Sequence, residues 1–153
     1  MGECGCGCTC GGDCGEGDGK KRIIFACAGA SNVGQITNIA AIQLLVEGFG
    51  SPACTAQLAT GAGTVKGKCA EADEVVVLDG CPVACASKIA EAQGITPTQV
   101  IVATEQGITK THDFEISEEE IEKVVCAAWE GKGKAKRCRD LPEGGCGCGC
   151  GGE

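Results

Sequence analysis

The stretch Val75-Val76-Val77-Leu78-Asp79-Gly80-Cys81-Pro82-Val83-Ala84-Cys85 decides the fold. Four aliphatic residues in a row read as a strand buried on both faces, as parallel sheets require. Asp79-Gly80 closes that strand. Pro82 then reads as the first residue of a helix ended by Gly94, following the preference for Pro at the first helical position and Gly just past the last.

The same alternation continues outward. Ile23-Ile24-Phe25-Ala26 is a second buried strand, and after the turn Cys27–Asn32 a helix is predicted. Ile36, Ile39, Ala40, Gln43 and Leu44 would share its buried face, and Gly48 would end it. A Gly-rich connection from Gly48 to Gly67 holds a short helix near Thr55–Thr60. Val100-Ile101-Val102-Ala103 supplies a third strand. Ser117-x-x-Glu120 has the spacing of a capping box, opening a last helix with Ile121, Val124, Val125 and Ala128 on its apolar face. Strands alternating with helices predict a small three-layer α/β domain over residues 20–130, with a short parallel sheet flanked by helices and right-handed crossovers.

Residues 1–19 and 131–153 differ in kind. They are Gly, Cys and charge with almost no apolar side chains, so neither tail can offset its ordering entropy without metal. The basic run Lys132–Arg137 reads as a solvated linker. Nine of the 15 cysteines lie in these tails. With 43% hydrophobic but 3% aromatic residues, the core between them has to be aliphatic.

So much cysteine indicates either a secreted disulfide scaffold or metal and redox chemistry in a reducing compartment. The N-terminus shows no basic start with an apolar run after it, no stretch is apolar enough to span a membrane, and the cysteine count is odd. A cytoplasmic metal-binding protein is the expectation. The formal charge of −8 disfavours nucleic acid and suits cations. Neither nucleic acid nor membrane is expected among its partners.

Two strands run directly into cysteine, at Cys27 and at Cys81. Carboxyl ends of parallel strands form the ligand crevice of α/β sheets, so the two should meet on one rim. With Pro82 opening the helix, Cys81 would sit at its N-cap and Cys85 one turn later on the same face. Sulfurs around a tetrahedral zinc lie about 3.8 Å apart, within reach of one helical turn. Free N–H groups at a helix start would favour thiolate. The plainer reading makes Cys81 and Cys85 small buried hydrophobes; the matching position of Cys27 favours metal. Cys54 and Cys69, both in the following stretch, compete to complete the site, and spacing does not choose between them.

Other chemistries lose support. A tyrosine-phosphatase loop needs Arg six residues after the cysteine, where Val33 stands. Gly29-x-Ser31-x-x-Gly34 is neither a hydrolase elbow nor a dinucleotide fingerprint. With no Cys-x-x-Cys pair, thioredoxin-type redox chemistry and zinc ribbons lose their signature. His112 is the one histidine and reads as a surface residue. Asp79 reads equally as an acceptor orienting the site or as a strand-end turn residue, and Lys110 as solvated in preference to pairing with an anionic metal–thiolate centre.

Cys27-x-Gly29-x-Ser31-Asn32-Val33-Gly34, Asp79-Gly80-Cys81-Pro82-x-x-Cys85-Ala86 and Gly107-Ile108-x-Lys110, in that order, resemble the DGC domain family over roughly residues 22–112. The resemblance implies a zinc ion held by four cysteines, which map onto Cys27, Cys54, Cys81 and Cys85. The tails are outside it. There Cys4, Cys6, Cys8 and Cys10, and Cys146, Cys148 and Cys150, recur every second residue with Gly between most of them. Soft ligands at that density suit copper(I), zinc or cadmium.

The expected function is therefore binding of a thiophilic metal, zinc first, with copper(I) or an iron–sulfur cluster as alternatives. Four protein thiolates leave no open position for zinc-activated water, which points to binding rather than catalysis. The tails would serve sequestration or delivery, to a client protein for metal or sulfur. The alternative is a sulfur- or selenium-handling thiol enzyme or carrier with Cys27 or Cys81 as nucleophile.

Overall fold

A computed structural model describes residues 19–131. Along the chain run β1 (Arg22–Ala26), α1 (Asn32–Val46), β2 (Ser51–Pro52), α2 (Thr55–Ala59), α3 (Gly63–Ala70), β3 (Glu74–Asp79), α4 (Cys85–Ala92) and β4 (Gln99–Val102). A 3-10 turn, Ala103–Gln106, and α5 (Glu118–Glu130) follow. The strands are parallel in the order β2-β1-β3-β4. This is the expected α/β domain, with one strand more than expected.

β1 and β3 are central because their side chains suit burial on both faces. Ile24 pairs with Val76 and Phe25 with Val77. Successive residues of a strand face opposite ways. Ile24, Val76, Leu78 and Ile101 accordingly pack under Ile36, Ala40 and Leu44 of α1 and Val124 and Ala128 of α5. Ile23, Phe25, Val75 and Val77 pack on the other side against Leu58 of α2, Val65 of α3 and Ala86 and Ala90 of α4.

That division of helices fits the topology. The chain steps from β1 to β2 in one direction over the α1 face, then to β3 and β4 in the other direction over the opposite face. Reversing both direction and face preserves the hand of the crossover, as the right-handed rule demands. The reversal also creates a switch point between β1 and β3, where the connections leaving the two strands diverge and open a crevice.

Two local expectations need correction. β2, an exposed Ser-Pro pair with no apolar pattern, is an edge strand of two residues, where Pro is tolerated. On α1 the buried residues are Asn32, Val33, Gly34, Ile36, Thr37, Ala40, Ala41 and Leu44, while Ile39 faces outward. Aliphatic residues surround this helix on all sides, so periodicity marks no single face. The capping box at α5 is as expected. Ser117 Oγ accepts from the Glu120 amide at 3.3 Å, and the Glu120 carboxylate accepts from the Ser117 amide at 3.1 Å.

Two of the four aromatics meet beside buried charge at the amino end of the sheet. Phe49 and Trp129 meet edge to face at 4.7 Å, and the guanidinium of the buried Arg22 lies 4.6 Å over the Phe49 ring. Arg22 Nε pairs with Glu74 at 2.6 Å, and its Nη1 donates to the Phe49 carbonyl at 3.1 Å. A charge this deep is tolerated because both its charge and its donors are matched. Among the described residues no helix is long and apolar enough to cross a membrane.

Candidate metal centre

The carboxyl edge of the sheet carries a cysteine just beyond each of three neighbouring strands: Cys54 after β2, Cys27 after β1 and Cys81 after β3. Cys27 continues the ladder, its amide donating to the Leu78 carbonyl at 2.8 Å. The Thr37 hydroxyl lies 2.7 Å from the Cys27 carbonyl oxygen and 2.9 Å from that of Gly34, anchoring the turn to α1.

Two glycines allow the cysteine loops to come together. A Cβ on Gly34 would stand 2.5 Å from the Gly29 nitrogen, and one on Gly80 would stand 3.0 Å from the Val33 carbonyl carbon. The first distance is inside any van der Waals contact, so the turn after β1 folds this tightly only on glycine. Cys27 Sγ comes near Gly29, 3.7 Å from where a Cβ would be.

The stretch after β3 departs from expectation. α4 begins at Cys85, not Pro82, and Ala84 before it takes the left-handed conformation, φ 54° and ψ 49°. Cys81 to Ala84 form a tight turn closed by the Ala84 amide on the Cys81 carbonyl at 3.0 Å. The cause is Asp79. Its fully buried carboxylate accepts from the Ala86 amide at 2.8 Å, the Ser87 amide at 3.1 Å and the Ser87 hydroxyl at 2.5 Å. A carboxylate from the end of β3 thus caps the helix, and Cys81 lies outside it, four residues before its first residue. Asp79 positions Cys85, on the first residue of the helix, by holding the backbone around it.

Cys27, Cys81 and Cys85 all line one cavity of about 230 Å³ at the switch point, together with Val83, Lys110 and His112. Cys27 and Cys81 are half-buried and Cys85 is exposed. Lys110 Nζ lies 3.5 Å from Cys81 Sγ, so it is not simply solvated. Asn32 holds it there: its Nδ2 donates to the Thr109 carbonyl at 2.8 Å and its Oδ1 accepts from the Thr111 amide at 2.7 Å, bracketing Lys110. His112 is exposed at the mouth.

Cys54 is exposed at the N-cap of α2 and is not among the residues lining this cavity. Its neighbours tie it to the same edge: the Ala53 amide donates to the Ile24 carbonyl and the Thr55 hydroxyl to the Ala26 carbonyl, each at 2.9 Å. Cys69 is elsewhere, on α3 near Asp73 and Glu74 where β3 begins, and burial pushes its thiol pKa up. Among the described residues, no three Cys, His, Asp or Glu side chains are already grouped to hold an ion. In donor chemistry the cavity fits a thiophilic ion, since three thiols border one space large enough for it; side-chain rotation has to complete the grouping. The tail positions Cys4, Cys6, Cys8, Cys10, Cys146, Cys148 and Cys150 lie outside the described residues.

A family model described as the DGC domain matches residues 23–128. The chain is also 24% identical over 107 residues to the anaerobic and virulence modulator AnvM of Pseudomonas aeruginosa, an alignment covering 70% of this chain and 82% of that protein. No solved structure matches it.

Proposed function

This chain belongs to the DGC domain family, and from that premise we propose that it binds a thiophilic metal ion, zinc foremost, through Cys27, Cys81 and Cys85. Cys54 completes the set from the neighbouring strand end. The observation that carries the reading is that three cysteines from two distant segments border one cavity at the switch point. A divalent ion there removes the mutual repulsion of clustered thiolates, and its binding stabilises the fold that assembles them. Lys110 adds a positive charge beside Cys81, offsetting part of the negative charge that several thiolates bring. The Cys-x-Cys tails add further soft-metal sites for sequestration or delivery. The relative is named as a modulator, and a binding role for this chain is in keeping with that.

Metal content of the full chain, purified without oxygen, tests the proposal. With the tail cysteines changed to serine, about one zinc per chain should remain, and Cys81→Ser in that background should lose it. Unchanged metal content in Cys27→Ser, Cys81→Ser and Cys85→Ser would refute it.

The contact between Lys110 and Cys81 favours a second reading, in which Cys81 is the nucleophile of a sulfur- or selenium-handling protein. Under that reading the metal-free chain stays folded, and a persulfide donor passes its outer sulfur to the Cys81 thiolate, departing as a thiolate itself, before Cys27 and Cys85 react. Mass mapping of the labelled cysteine separates the two.

A further inference from the structure

We propose that the outer face of α1 is the contact through which two copies of this chain pair. The face consists of Ile39, Ile42, Leu45 and Val46, which are 38%, 53%, 49% and 81% exposed. At 100° per residue they fall on one arc with Gln35 and Asn38 between them, opposite the buried arc of Val33, Ile36, Ala40 and Leu44. Aliphatic side chains on both sides of a helix are expected where something covers both sides.

Charge selects the occupant. Asn32–Val46 contains no Asp, Glu, Lys or Arg, in a chain whose formal charge is −8. In a two-fold contact one patch meets its own copy, so any net charge on it is repelled. α1 is a face on which two copies meet without that cost. At its margin toward α5 the polar groups are engaged within the chain: Gln43 bonds Glu47 and Glu122, at 2.9 and 2.8 Å, and Trp129 Nε1 donates to Glu47 at 2.8 Å.

Other occupants fit less well. Residues 1–18 and 132–153 contain Met1 and Leu141 as their large aliphatic side chains, too few to cover four. A helix that lies on a lipid surface carries Lys or Arg beside its apolar face, and α1 has none. The patch exposes on the order of 400 Å², about half of what one partner contributes to a standard interface. The contact is therefore small, so the pair forms and dissociates with concentration.

Sedimentation of the full chain, with reductant and a chelator present to exclude disulfide- and metal-bridged species, tests this. At about 100 µM the 15.3 kDa chain should sediment at twice its mass and shift toward the monomer on dilution. Ile42→Lys and, independently, Val46→Glu should stay monomeric, with unchanged circular dichroism and, at dilutions where the wild type is also monomeric, an unchanged melting temperature. A wild-type chain that is monomeric throughout overturns the proposal. So does a dimer that survives both substitutions, or a monomer whose α1 face binds zwitterionic or anionic vesicles instead. Metal removal by the chelator affects wild type and variants alike, and circular dichroism of each shows that the fold is kept, so the comparison between them reads the α1 face alone.

Discussion

The ammonium of Lys110 stands 3.5 Å from the sulfur of Cys81, and neither residue shares an element with the other. The side-chain amide of Asn32 produces the contact by bonding the backbone on both sides of Lys110, at Thr109 and Thr111. The first residue of α1 thereby sets the charge around a cysteine that follows β3.

Asn32→Ala should separate this relay from simple stability. Asn32 is buried, and losing two side-chain hydrogen bonds that satisfy backbone groups should cost about 1–3 kcal/mol in urea denaturation. Lys110→Met, at an exposed position, should change stability by less than about 0.5 kcal/mol. It should nevertheless let a chelator strip bound zinc several-fold faster, because less of the thiolate charge is offset. Equal release rates in wild type and Lys110→Met would show that the contact is incidental.

Asp79→Ala should be among the most destabilising single changes near the site. It strands the Ala86 and Ser87 amides and the Ser87 hydroxyl, at a cost of about 2–4 kcal/mol. Asp79→Asn keeps one oxygen as acceptor and should lose less. Amide hydrogen exchange gives the sharper check: protection of Ala86 and Ser87 should collapse in Asp79→Ala while that of β1 amides falls only with global stability.

Glycine substitutions should split by position. Gly34→Ala drives a methyl into the Gly29 backbone, and the turn after β1 would have to open, costing several kcal/mol in thermal or urea unfolding. Gly67→Ala, inside α3 with nothing within 4 Å of the added carbon, should stabilise by about 0.5–1 kcal/mol through its effect on helix propensity. If the two shift in the same direction, the close approach of the cysteine loops is not what Gly34 secures.

Cys69 predicts an alkaline loss of stability. Burial pushes its pKa above the usual thiol value of 9.0, so the unfolded chain releases this proton first as pH rises. The contribution is fully present below 9.0 and is lost as pH climbs through the folded value. Cys69→Ala should flatten that part of the stability curve, measured by urea unfolding with reductant from pH 8 upward. In alkylation at pH 8, Cys69 should react after the exposed Cys54 and Cys85.

What the chain alone determined follows from local physics. Continuous apolar runs at Ile23–Phe25 and Val75–Leu78 call for burial on both faces, as in a parallel sheet. Ser117 and Glu120 cap α5 within one turn, and Cys27 and Cys81 follow strand ends whatever else the chain does. Tertiary structure decided what depends on groups far apart. Pro82 looked like a helix start until the carboxylate of Asp79 took the amides of Ala86 and Ser87 and moved the first helical residue to Cys85. Ile39 looked buried because aliphatic residues lie all round α1, and only the placement of β1, β2 and α5 against that helix settles which side is inside. Solvation looked the better reading of Lys110 than a thiolate contact because nothing near it in sequence indicates that Asn32 holds its segment over Cys81. Periodicity and caps act over a few residues, whereas a buried carboxylate or an amide clamp acts through space, and its partners exist only once the sheet has formed.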